Sequence, residues 1–251
     1  MKIEELELGS KIYLGSFAWR GRRPEADIVW FKTSYNNTFM MERYIKTVPF
    51  DSPEELNPNE TRRNNGTNFY PLSNIHQWLN GSGMDWFKPA HEYDTNSFYM
   101  PDDFGFLTAF DEQDLAALEE TEIECAVPEG FKRIYGSKYS LKTKVFLPSL
   151  KELGVWVDGD CPDEGEQFDI YVDAFFEETT LTRTPSGLAK VNFVECGESQ
   201  SPVWCREEQK IKPCIRLKGD LEVERAQGQE IYCLQTETKP CDDLYELLSV
   251  G

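Results

Sequence analysis

Apolar and polar positions alternate along Gly9-Ser-Lys-Ile-Tyr-Leu-Gly-Ser-Phe-Ala-Trp19, with Ile12 and Leu14 before Gly15 and Phe17 and Trp19 after it. That spacing predicts a strand, a kink and a second strand. The β-favouring run at residues 28–31 predicts another strand. Residues 51–70 are crowded with Pro, Asn, Glu and Arg and read as a long polar excursion. A helix is predicted next, over residues 71–80, with Ser73 as its cap. Its apolar face carries Leu72, Ile75, Trp78 and Leu79, and Gly81 and Gly83 end it.

A second helix is signalled between Thr108 and Glu120, with Asp111 as its cap and Leu115 and Leu118 three apart behind acidic first-turn residues. Residues 145–147 predict a strand that breaks at Pro148, after which Ser149 caps a short helical turn reaching Leu153. Alternating runs at residues 189–194, 202–205 and 211–217 are each about a strand long. No repeat of solenoid or propeller length occurs. The expected class is α+β, with two modest helices among many short antiparallel strands and long irregular loops.

Composition narrows the function classes. The chain has 251 residues, enough to bury a substantial core, and 13% are aromatic, which excludes general disorder. Lys and Arg number 26 against 45 Asp and Glu, a formal net charge of −19. Such a surface repels phosphate, so direct nucleic-acid binding and adhesion to anionic lipid are not expected. No stretch is long and apolar enough to cross a bilayer, and residues 1–9 lack the pattern of a signal peptide. The expectation is synthesis in the cytoplasm without membrane insertion. The seven cysteines form no Cys-x-x-Cys pair and are read mainly as reduced thiols, with a disulfide as the minor alternative.

Candidate chemistry is sparse. The two histidines, His76 and His91, accompany no nucleophile elbow, and no phosphate-binding glycine loop is present. Cys196, Cys205 and Cys214 are nine apart, unlike the short-spaced ligand pairs of structural zinc. One tract stands out: residues 152–181 hold ten acidic residues and no Lys, Arg or His. Within it Asp158, Asp160, Asp163, Glu164 and Glu166 cluster on a glycine-bent loop. The cluster is either a solvated acidic face, used to recognise a partner with basic residues, or a calcium site on Asp158, Asp160 and Asp163. Pro162 and Asp163 break the EF-hand pattern. Arg183 has two readings, a ligand contact or a buried arginine paired with a carboxylate.

Taken in order, several motifs carry a resemblance. They are residues 9–19; Pro49-Phe-Asp51; Arg62, Arg63, Asn64, Asn65 and Gly66; and Asn68-Phe-Tyr-Pro-Leu-Ser-Asn-Ile-His-Gln-Trp-Leu-Asn80. Gly105-Phe-Leu-Thr-Ala-Phe110, Lys144-Val-Phe-Leu-Pro-Ser149, Thr182-Arg-Thr-Pro-Ser186 and Ile211-Lys-Pro-Cys-Ile-Arg-Leu217 follow. The series resembles an uncharacterised domain family of phage and prophage structural modules and some bacterial surface proteins. Its later half is similar to C-type-lectin-like domains of the formylglycine-generating-enzyme type. The resemblance spans residues 9–218 and implies a single lectin-like domain over residues 1–218. Residues 219–251 then form an extension ending in a short amphipathic helix (Leu244, Leu247, Leu248).

The function this resemblance implies is non-enzymatic. The chain would be a tail- or virion-associated binding protein that recognises a protein or glycan on a host surface, or another virion protein, and forms homo-oligomers. A second expectation is a cytosolic anti-defence or regulatory protein whose acidic surface mimics nucleic acid. A third is a copper-dependent oxidase using Cys205 and Cys214.

Overall fold

The structure, a computed structural model, describes residues 1–17, 26–100, 103–156, 164–170, 179–195, 198–226 and 228–235. Ile12 and Leu14 are buried on one face of β1 (Lys11–Phe17), as their alternation requires. The kink expected at Gly15 is a bulge, where pairing with β2 (Ala26–Lys32) shifts register between Tyr13 and Ser16. Gly15 has φ 78°, and a Cβ there would stand 3.0 Å from both the Ala109 carbonyl and the Phe110 ring. Trp19, expected in the continuation, lies outside the described residues.

β1 and β2 belong to a seven-stranded sheet. It continues through β3 (Thr38–Met41) and β13 (Cys214–Arg216) to β7 (Val145–Phe146) at one edge. On the other side of β1 lie β15 (Ile231–Leu234) and then β14 (Val223–Arg225). β15 runs parallel to β1 and the other pairs are antiparallel. β14 and β15 follow residue 218, so the chain beyond the expected domain end completes the central sheet. The predicted amphipathic segment at residues 242–250 lies outside the described residues.

Among the described residues three smaller sheets accompany this one. β4 (Thr47–Val48) pairs with β12 (Gln209–Lys210). β5 (Thr121–Ala126) pairs with β6 (Lys138–Thr143) as a six-residue ladder. The third sheet is centred on β9 (Lys190–Glu195), which pairs with β8 (Thr180–Ser186), β10 (Glu198–Ser199) and β11 (Val203–Trp204). The architecture is mixed α+β with short helices and many strands.

The excursion at residues 51–70 is not a surface loop. It contains α1 (Glu60–Asn65), whose N-cap Asn59 accepts from the Thr61 and Arg62 amides. Several of its polar side chains turn inward as struts. The buried Asp51 carboxylate accepts the amides of Thr67 and Asn74. Buried Glu54 accepts Nε and Nη2 of Arg62. Polarity alone therefore misreads the segment, because these carboxylates satisfy backbone amides (Asp51) or side-chain donors (Glu54) inside the fold rather than face water.

α2 (Asn74–Asn80) has the predicted cap and core face, with Ser73 accepting the His76 amide and Ile75, Trp78 and Leu79 without exposure. It starts, however, after a separate 3-10 turn over Tyr70–Leu72 that leaves Leu72 half-buried. The second predicted helix is shorter than expected. A 3-10 turn over residues 106–109 precedes α3 (Glu112–Ala117), which Asp111 caps. Ser149 caps its turn reciprocally, with Glu152 donating its amide to the Ser149 hydroxyl and accepting the Ser149 amide.

Candidate functional site

The predicted site residues separate in the structure. Asp158, Asp160 and Asp163 lie outside the described residues. Glu166 is exposed, whereas Glu164 and Arg183 have zero exposure. Arg183, on β8, is the buried arginine of the second sequence reading. Its Nη1 and Nη2 donate to Oε2 and Oε1 of Glu152 at 2.6 and 2.7 Å. Nη1 also donates to the Leu147 carbonyl and Nε to that of Glu124. Burial works against this charge, but the Glu152 carboxylate more than offsets it, and the arginine's pKa is raised.

Glu164 clips the acidic tract onto this pair. Its carboxylate accepts the Ala126 amide at 2.7 Å and the Thr184 hydroxyl at 2.5 Å, while its carbonyl accepts the Ser149 hydroxyl. Burial raises its pKa, with Arg183 and these hydrogen bonds opposing. The next residue is a glycine for a steric reason: a Cβ at Gly165 would sit 2.7 Å from Glu152 Oε1, at φ 77°. The tract is thus anchored at residues 164–168, where the Phe168 amide donates to the Glu152 carbonyl.

Neither imidazole meets a nucleophile among the described residues. His76 packs edge-on against the Tyr70 ring at 5.1 Å, with its Nε2 lacking a hydrogen-bond partner, and burial lowers its pKa to about 4. His91 Nε2 lies 3.3 Å from Arg62 Nη2 and 3.7 Å from Glu54 Oε1. Burial lowers the His91 pKa, against the pull of Glu54 and Asp94.

Cys125, Cys205 and Cys214 are buried free thiols. Burial pushes Cys125 up to about 12 and raises the other two well above the ordinary value, so all three are protonated and unreactive. Cys233 is disulfide-bonded. Among the described residues no group of three or more His, Cys, Asp or Glu is placed to hold a metal ion.

A different place presents surface chemistry. The connection between β5 and β6 contains α4 (Lys132–Tyr135), and beside it lies the turn joining β8 to β9. Between them is a groove of about 460 Å³, lined by Ala126, Val127, Pro128, Glu129, Lys132, Ser137, Lys138, Pro185 and Gly187.

Both walls are held from behind by consecutive residues. The Phe69 ring stacks on Phe131 and Tyr135 at 5.1 Å and meets Tyr139 at 5.7 Å. Asn68 Nδ2 donates to the carbonyls of Gly187 and Lys190, which clasps the β8–β9 turn. In that turn Gly187 and Ala189 have φ of 51° and 52°, a conformation rarely held by alanine without such support. Leu188 between them is 68% exposed, and Ile134 of α4 is 75% exposed.

Sequence reasoning missed this surface because β5, β6 and α4 were not recognised as a unit. The available signals were the strict alternation over residues 121–126 and the Pro185-Ser-Gly turn.

The chain matches no curated protein and no solved structure. A family model, a domain of unknown function (DUF6273), matches residues 35–219, which include α4, the groove lining and the buried Arg183–Glu152 pair. The chain therefore belongs to the DUF6273 family.

Proposed function

We propose that the protein is a non-enzymatic recognition module that binds a segment of a protein partner in the groove between α4 and the β8–β9 turn. The observation that carries this reading is the pre-ordered turn: a rarely adopted backbone, clasped by Asn68, holds Leu188 in water beside a groove. Backbone strain and exposed apolar side chains concentrate at functional surfaces, and a binding loop on a rigid scaffold loses little entropy on association. The polar clusters favour the same reading, since Arg183, Glu152, Glu164 and Asp51 direct their charges inward at neighbouring backbone and side chains.

The order of motifs supports a C-type-lectin-like disposition of the loops and a tail- or virion-associated setting. The partner is then a host-surface protein or a neighbouring virion subunit. The net charge of −19 favours a second reading, in which the acidic face occupies a basic groove on another protein.

The test is selection of a displayed random-peptide library on the immobilised protein, followed by affinity measurement on Leu188→Glu and Ser137→Glu variants, Ser137 being an exposed residue of the groove lining. Both positions are exposed, so melting temperatures should match the wild type. Selected peptides should bind the variants at least about tenfold more weakly. Absence of enrichment, or equal binding to all three proteins, contradicts the proposal.

A further inference from the structure

We infer that the groove takes an extended peptide in which acidic residues flank an apolar side chain, an inference that rests on the recognition reading above. Two observations specify the chemistry. The first is charge. The chain carries 45 acidic residues against 26 basic ones, yet residues 130–151 contain six Lys or Arg and no Asp or Glu. Two of these bases, Lys132 and Lys138, line the groove, against one carboxylate, Glu129.

Their present partners sit in water. Lys132 meets Glu129 at 2.7 Å and Lys138 meets Glu124 at 3.8 Å, with each lysine side chain 44–48% exposed. Exposed pairs of this kind are weak, so a ligand carboxylate exchanges into them readily. A partner carboxylate also arrives with its own apolar neighbours, which the Glu129 and Glu124 side chains cannot supply.

The second observation is the remaining lining. Ala126, Val127, Pro128 and Pro185 present apolar surface, and Leu188 stands exposed next to the lining residue Gly187. An anion alone leaves that surface wet, and an apolar side chain alone leaves both lysines in their exposed pairs. A segment with both features satisfies the whole groove. The acidic excess of the chain repels such a segment elsewhere, so charge directs it to this place. Nucleic acid carries the charge but not the apolar side chain, and its extended phosphate array meets the net −19.

The peptides selected on the wild-type protein supply the test. Enriched sequences should place Asp or Glu beside Leu, Ile, Phe or Pro. Their affinity should fall about tenfold or more on Lys132→Glu/Lys138→Glu, fall less on Lys132→Gln/Lys138→Gln, and weaken steadily with added salt. The melting temperature of the glutamine variant serves as the folding control, since both lysines lie at the surface. Enriched peptides that are neutral or basic overturn the inference, as does affinity indifferent to charge reversal. Peptides weakened by Leu188→Glu but not by the lysine changes overturn the acidic ligand alone and leave the groove standing. Peptides indifferent to both overturn the recognition reading as well. Binding of a mixed-sequence oligonucleotide that competes with the peptides also overturns the acidic-peptide assignment.

Discussion

Arg183 and Glu152 meet fork to fork in the interior, both guanidinium Nη atoms engaging both carboxylate oxygens at 2.6 and 2.7 Å, with no exposure on the arginine. The pair joins β8 to the turn after β7, and Glu164 adds the acidic tract to the same knot. Removing one member leaves the other charged and buried. Arg183→Met should therefore cost about 3–5 kcal/mol, while Arg183→Met/Glu152→Met should cost less than the sum of the single changes. Urea denaturation of the four proteins measures this. Strict additivity would mean that the two residues act independently.

Trp78 has no exposure, its indole donates to the Phe104 carbonyl at 2.9 Å, and it packs on Phe106 at 5.6 Å. Trp78→Ala should cost roughly 3–5 kcal/mol. A loss under about 1 kcal/mol would show that neighbouring side chains refill the space.

Lys32 is a buried lysine of β2 that donates to three backbone carbonyls of the N-terminal turn: Ile3 at 3.0 Å, Leu6 at 3.0 Å and Glu4 at 3.4 Å. Burial lowers its pKa, with Glu4 partly opposing. Lys32→Met keeps the apolar stem but removes the buried donor from those carbonyls, of which Ile3 alone keeps the Leu6 amide, a loss of about 1–3 kcal/mol. Limited proteolysis should then cut first within residues 1–10. An unchanged digestion pattern and melting temperature would contradict this account of the N-terminal latch.

His76 links stability to pH. Its pKa is about 4 in the folded chain against about 6.5 when unfolded, so the unfolded chain binds the proton more readily. Its contribution is complete above about pH 6.5 and is lost as pH falls towards 4. The variant His76→Gln removes this dependence. The stability difference between wild type and variant should therefore change in favour of the variant across that window. A difference independent of pH would place His76 in contact with water.

Periodic segments were legible in the sequence. β1, β2, α2 and its Ser73 cap follow from alternation, helical spacing and capping chemistry. The buried struts at residues 51–70 were not, because a polar residue that satisfies backbone inside the fold looks like one that faces water. Asp51 and Glu54 show the difficulty. Glu164 and Arg183 were singled out by charge and motif, yet long-range convergence decides that both are interior. The groove was illegible for a related reason. It joins residues 126–138 to residues 185–187, which Asn68, Phe69, Glu164 and Arg183 bring together from distant parts of the chain.

The central claim is that recognition takes place between α4 and the β8–β9 turn. Hydrogen exchange of the full chain, measured with and without a saturating selected peptide, locates the contact directly. The account predicts added protection at residues 126–138 and 185–190, with little change in α2 or β1. Protection confined to other surfaces, with residues 126–138 and 185–190 unchanged, would contradict it.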